Sequence, residues 1–146
     1  MKAIQLKIVT PEKIIFSDKV NQVSLSTTTG EITVLPNHIP LISQLTAGEI
    51  SVKYGSDKED LMAVSGGFVE VLPEQVVILA DTAEKAAEID ETKAEEARRK
   101  AEEILKTKVV DAKEFAFLTA KIEKELARLR VVRKYKKRGV RTGTNN

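Results

Sequence analysis

Apolar positions along the chain follow two rhythms. In the first 82 residues they alternate with polar ones. Ile4, Leu6 and Ile8 are interleaved with Gln5 and Lys7, Val23 and Leu25 with Ser24 and Ser26, and Ile50, Val52 and Tyr54 with Ser51 and Lys53. Successive side chains of a strand point to opposite faces, so a period of two predicts half-buried strands. Two further runs, Phe68–Val71 and Val76–Ala80, flank Leu72-Pro73-Glu74. Turn chemistry punctuates the runs at Thr10-Pro11, Thr29-Gly30-Glu31, Pro36-Asn37, Ala47-Gly48-Glu49, Gly55-Ser56-Asp57 and Gly66-Gly67. Short strands with turns every ~8–12 residues predict an antiparallel sandwich or barrel.

From residue 83 the spacing becomes three and four. Ala94, Ala97, Ala101 and Ile104/Leu105 predict one helix; Phe115, Leu118, Ile122, Leu126, Leu129 and Val132 predict a second, longer one. Asp111 followed by Glu114 reads as an N-cap with a capping-box acid. Lys106-Thr107-Lys108 and Val109-Val110 supply the break, and so short a connection predicts an antiparallel hairpin. The breakers agree. All four Pro precede residue 74, while residues 83–138 hold neither Gly nor Pro and carry 10 of the 14 Ala. The expected fold class is therefore α+β: an N-terminal antiparallel β-sandwich (residues 1–83), a C-terminal two-helix antiparallel hairpin (84–138) and a polar tail (139–146).

Charge sharpens this division. The 146 residues carry 24 Lys+Arg and 22 Asp+Glu. Residues 1–82 hold 6 basic and 10 acidic side chains, residues 83–146 hold 18 and 12, and residues 121–146 alone hold 10 and 2. Catalytic chemistry is sparse by comparison. The absence of Cys excludes disulfides, thiol catalysis and cysteine metal sites. No Gly-rich phosphate loop and no metal-ligand spacing occurs. The lone His38 lies between Pro36 and Pro40, which reads as structural or exposed rather than as a catalytic base. The chain is not expected to be an enzyme by itself. Its longest apolar run, Val76–Ala80, falls far short of the about 20 residues a membrane span needs, and no apolar stretch of a secretory leader is expected at the N-terminus.

Arg128, Arg130, Arg133, Lys134, Lys136, Lys137 and Arg138 form a basic cluster. It reads either as an arm for an acidic partner (nucleic acid, anionic membrane or acidic protein) or as a solvated helix end favoured by the helix dipole. Seven charges exceed what a dipole needs. Tyr135 is the sole aromatic there, so stacking platforms for nucleic acid are missing; a nucleic-acid-binding adaptor with a basic helical arm stands as the alternative. The Ala-rich seam permits close helix approach but buries little area, a few kcal/mol at about 25 cal/mol per Å², against an ordering cost of about 1–2 kcal/mol per residue. Such a hairpin is either a plain appendage on the sheet or a marginal element. A marginal hairpin opens when a partner offers the Phe115/Leu118/Ile122/Leu126 stripe a better surface.

Two segments carry a family resemblance. Gly30-Glu31-Ile32-Thr33-Val34-Leu35-Pro36-Asn37-His38-Ile39-Pro40-Leu41 resembles the signature of the epsilon subunit of rotary F-type ATP synthase. Val64-Ser65-Gly66-Gly67-Phe68-Val69-Glu70-Val71, followed by Val77-Ile78-Leu79-Ala80-Asp81-Thr82-Ala83, matches in order and spacing. The resemblance covers roughly residues 2–138 and implies a non-catalytic part of the central stalk. It implies a ten-stranded sandwich that binds the gamma subunit, rests on the c ring, and turns with it to couple ion translocation to ATP synthesis. The loop with Glu31 and the segment with His38 would mark the ring-facing end. The hairpin would fold on the sandwich or extend into the alpha/beta catalytic head and inhibit ATP hydrolysis. Arg128, Arg133, Lys134 and Lys137 would then meet an acidic loop of the beta subunits. ATP is implied as a regulatory ligand of Ile89-Asp90-Glu91-Thr92-Lys93-Ala94. There Lys93 replaces the family's Arg and lacks its planar two-pronged contact, while Asp90 reads equally as a helix N-cap. The implied place is peripheral, at the cytoplasmic face of a bacterial membrane, with the plastid thylakoid second; no nucleic acid is implied, and membrane contact comes only through the complex.

Overall fold

The computed structural model describes the backbone of residues 2–142 and the side chains of residues 2–138. Nine strands come first: β1 (Ile4–Val9), β2 (Ile14–Val20), β3 (Gln22–Thr27), β4 (Gly30–Val34), β5 (Leu41–Tyr54), β6 (Lys58–Val64), β7 (Gly67–Val71), β8 (Gln75–Ala80) and β9 (Ala83–Lys85). A 3-10 turn at Ala86–Glu88 leads to α1 (Glu91–Thr107) and α2 (Ala112–Thr142). The expected sandwich followed by two helices is what forms.

The two layers share a strand. One layer is β2, β1, β8, β7 and the start of β5; the other is β4, β3, the end of β5, β6 and β9. At the corner β3 advances two residues, from Leu25 to Thr27, while β5 retreats five, from Ile50 to Leu45. One 14-residue strand thus serves in both layers, which is why nine strands, not ten, are found among the described residues. Nor is the sheet wholly antiparallel: β1 and β8 run parallel, because the chain passes through the second layer before it returns beside its own beginning.

The alternating positions point inward as expected. Ile4, Leu6, Ile8, Val23, Leu25, Ile50, Val52, Val69, Val71, Val76 and Ile78 are buried in a single core. β6 does not alternate. Met62 and Val64 enter that core, whereas Leu61 and Ala63 join Ala86, Ile89, Val131 and Val132 in a second cluster beneath the helices. A strand covered on both faces needs apolar residues on both, so Leu61–Val64 reads as a continuous run.

The ladder continues through Lys85 on β9, two residues beyond the expected boundary at 83/84. At the other end α2 runs on to Thr142, so the backbone of residues 139–142, expected in a polar tail, is helical; residues 143–146 lie outside the described residues. Both helix starts are capped. The Asp90 carboxylate accepts from the Lys93 N–H at 3.1 Å and Asp111 accepts from the Glu114 N–H at 2.8 Å.

The expected stripe of α2 is only half buried. Leu118, Leu129 and Val132 are buried, but Phe115 is 55% and Leu126 40% exposed. The cause lies in what α2 touches. The charge pairs and the apolar cluster that tie α2 to the sandwich use residues from Arg128 onward. There Leu129, Val131 and Val132, with Ala127 just before them, widen the buried face. Phe115 and Leu126 precede this region.

Candidate docking surfaces

The first surface is apolar and belongs to the outer face of the first layer. Strand parity sends Phe68 outward where Val69 and Val71 point in, and Leu79 outward where Ile78 and Ala80 point in. The register then lines them up: Ile14 opposes Val9, Val9 opposes Leu79, and Leu79 opposes Phe68. Ile42 stands diagonally from Phe68 on β5. Ile14, Phe68 and Leu79 are each 56% exposed and Ile42 is 74% exposed. An apolar row crossing four adjacent strands, so poorly covered, marks an interaction site. This face lies opposite the layer that carries the hairpin. The apolar runs place Phe68 and Leu79 in strands, and their parity against Val69 and Ile78 is the sequence signal that turns them outward.

The second surface is the cationic side of α2, and the structure already gives most of its charges a partner. The Arg128 Nε lies 2.7 Å from Glu84 on β9, and its Nη1 2.7 Å from the buried Glu125. Lys134 lies 2.6 Å from Glu49 on β5, and Arg138 pairs with Glu59 on β6. Arg133 meets Glu91 and Glu95 of α1 at 3.1 and 3.4 Å, and Lys136 meets Glu91 at 2.7 Å. Lys137 is exposed, with no ion pair among the described residues. The guanidinium of Arg138 holds the Glu59 carboxyl below the ordinary carboxylate range, against an opposing effect of burial and with help from the Ser51 hydroxyl. Lys136 first and then Arg133 do the same for Glu91.

Glu31 and His38 are not brought together. Glu31 is the second residue of β4, exposed, beside the turn from β3, rather than in the loop itself. His38 lies beyond the opposite end of that strand. Its Nδ1 is 2.7 Å from the Ile39 carbonyl. The Asn37 N–H, at a φ of +66°, donates to the Pro73 carbonyl at 2.9 Å and ties this loop to the β7–β8 turn. The two residues therefore mark opposite ends of the sandwich, not a shared one.

Asp90 spends its carboxylate on the cap of α1, and Lys93 is exposed three residues on. The hollow beside Asp90, about 490 Å³, is lined by Asp90, Glu91, Glu95 and Glu96 together with Arg99, Arg133 and Lys136, and Lys93 does not line it. Two of those cations already hold Glu91. Among the described residues no group of three His or carboxylate side chains could hold a metal ion, and no helix is long and apolar enough to cross a membrane.

Comparison with known proteins places this architecture. Residues 3–86 match the family model of the ATP synthase delta/epsilon chain β-sandwich domain. The ATP synthase epsilon chain of Dehalococcoides mccartyi is 42% identical over 137 residues, covering 94% of this chain and 97% of that one. The epsilon chain of Chloroflexus aggregans is 44% identical over 133 residues, covering 91% and 94%. Among solved structures, a chain of the Euglena gracilis mitochondrial ATP synthase OSCP/F1/c-ring assembly superposes with a TM-score of 0.75 at 27% identity, covering 86% of this chain and 78% of its own. A chain of the Tetrahymena thermophila central stalk and c-ring assembly shares the fold, with a TM-score of 0.61 at 11% identity over 92% and 96%. These relatives, together with α2 cations turned toward the chain's own carboxylates, leave the nucleic-acid adaptor without support. A sandwich and hairpin alike in sequence and shape to such relatives over nearly their full length make this chain a member of the ATP synthase epsilon-chain family.

Proposed function

We propose that the chain is a non-catalytic rotor subunit that docks the gamma subunit through the apolar row Ile14–Val9–Leu79–Phe68. In this reading it links gamma to the c ring, and its hairpin restrains ATP hydrolysis by the alpha/beta head. The row carries the proposal: it is largely exposed, crosses four of the five strands of one layer, and leaves the hairpin on the other side free to move while the stalk contact holds. The chain stays peripheral, at the cytoplasmic face of the membrane that holds the complex. Regulatory ATP at Asp90 and Lys93 would have to displace a cap and enter a hollow rich in carboxylates, so titration calorimetry with ATP is expected to show weak binding.

The test pairs Phe68→Glu with Leu79→Glu. Both side chains are more than half exposed, so the melting temperature should hold. Binding to a gamma-containing catalytic complex should fall more than tenfold, because two charges would be buried without partners. Wild-type binding by the folded double variant would remove the row from the interface. Inhibition is read separately: the full chain should lower the complex's ATPase rate, and a chain ending at Glu88 should bind without lowering it.

A further inference from the structure

Two residues along the strands from the apolar row, the same outer face changes character. Ser17 opposes Lys7, Lys7 opposes Val77, Val77 opposes Glu70, and Glu70 opposes Ile42. This second row runs beside the first, ~7 Å away at ~3.3–3.4 Å per residue. Lys7 and Glu70 are exposed and Val77 is half-buried. A cation and a carboxylate thus stand on either side of one apolar residue, next to the row that Val9, Leu79 and Phe68 form. They are the sole charged residues of β1, β7 and β8.

The two charges do not satisfy each other. β8 separates their strands, which sets them ~10 Å apart at ~4.8 Å per strand. That exceeds the screening length of about 8 Å in physiological salt. Neither makes an ion pair among the described residues.

An apolar row alone would place a partner loosely. Burial of apolar area is non-directional, and Ile14, Val9, Leu79 and Phe68 offer similar surface from strand to strand. A partner ridge shifted along the row by one strand would still meet apolar side chains. The charges remove that freedom. With an acid of the partner on Lys7, a shift of one strand sets that acid over Val77, where it loses water and gains no hydrogen bond. A shift to β7 sets it over Glu70, like charge against like.

We infer that Lys7 and Glu70 are the register key of this surface: the gamma subunit sets a carboxylate against Lys7 and a cation against Glu70, and the pair fixes its position along the apolar row. The inference rests on the reading of that row as the gamma dock, and it adds what determines the alignment. A joint in a stalk needs alignment, because a contact held by burial alone slides under load.

The experiment uses the full chain and a gamma-containing catalytic complex lacking this subunit. Lys7→Glu and Glu70→Lys should each weaken binding about tenfold, since each sets like charge against like. Combined they should weaken it about a hundredfold, because sites about 10 Å apart act independently. Melting temperatures should hold, as both side chains are exposed. Lys7→Gln/Glu70→Gln separates register from affinity and should bind within about fivefold of wild type. Ser17→Cys, the sole thiol in a chain without Cys, carries a photo-crosslinker at the end of the second row. It should mark one segment of gamma in the wild-type background and several in the glutamine variant. Binding by the double reversal as tight as that of either single reversal overturns the key, since the two charges would then serve each other across Val77. A single marked segment in the glutamine variant overturns it too. So does a homodimer in sedimentation that Lys7→Glu breaks and the double reversal restores, which would give the face to a second copy of the chain. In each case, loss of binding by Phe68→Glu/Leu79→Glu leaves the gamma dock standing without its key, whereas wild-type binding by that variant removes the dock itself.

Discussion

Replacing Gly67 with alanine should destabilise the sandwich by about 2–6 kcal/mol. Gly67 opens β7 with a φ of +136°. A Cβ built there would stand 2.0 Å from the Leu79 carbonyl oxygen and 2.9 Å from the Ala80 Cα. Both atoms are backbone of β8, the strand to which Gly67 is paired. Holding a non-glycine residue at such a φ costs about 1–3 kcal/mol. The clash adds about 1–3 kcal/mol more, since a paired backbone cannot swing aside as a side chain can and the two strands must part locally. Gly30 provides the control: its φ is +123°, but nothing lies within 4 Å of a Cβ there, so Gly30→Ala carries the conformational cost alone. Equilibrium urea unfolding, followed by far-ultraviolet circular dichroism in the strand region, measures both variants. Against a typical stability of about 5–15 kcal/mol, the Gly67 variant should lose a large share and the Gly30 variant a small one. Equal losses, or less than about 1 kcal/mol at Gly67, would refute the steric reasoning. Because Phe68 and Leu79 flank the site, the Gly67 variant should also weaken docking of the stalk.

Other consequences can be measured alongside. Val131→Ala removes two methyl groups from a fully buried position, about 1.6 kcal/mol at ~0.8 per carbon. The loss should appear as faster hydrogen exchange in the helices, with the sandwich amides unchanged. A chain truncated after Glu88 should keep a folded sandwich, whereas one truncated after Ala83 removes most of β9 and should melt lower by calorimetry. The folded-state pKa values of Glu59 and Glu91 lie below the ordinary carboxylate range, so the stability these carboxylates supply is complete above that range and is lost as pH falls through the lowered values. Docking of α2 on the sandwich through Glu59 and Arg138, read as a distance between labels at Ser56 and Lys121, should therefore be flat from about pH 6 to 8 and should loosen only in acid below about pH 4; loosening near neutrality would contradict the assignment.

Much of this architecture is written in local pattern. The alternation at Ile4–Ile8, Val23–Leu25 and Ile50–Val52 fixes inward faces because a strand's side chains have a period of two whatever lies across from them. The breaker-free, Ala-rich stretch after residue 83 and the caps at Asp90 and Asp111 define the helices for equally local reasons. Gly66 and Gly67 were legible as a turn signal. That Gly67 must stay glycine was not, since the obstruction is the backbone of β8, twelve residues further along the chain.

Tertiary structure decided where each surface went. Leu61–Val64 shows no alternation because helices cover its second face, and no window of sequence contains those helices. The basic cluster of α2 reads as an open arm until the fold brings up Glu49, Glu59 and Glu84 from three strands. Charge along a chain tells how many partners are needed, but distance decides which ones are met. Phe68 and Leu79 become an exposed apolar row with Val9 and Ile14 only through the register of four strands, one of them joined in parallel. Sequence by itself therefore determined the elements and their buried faces, which depend on neighbours a few residues away. The surfaces through which the protein acts depend on contacts between residues tens of positions apart, and only the folded chain could bring them together.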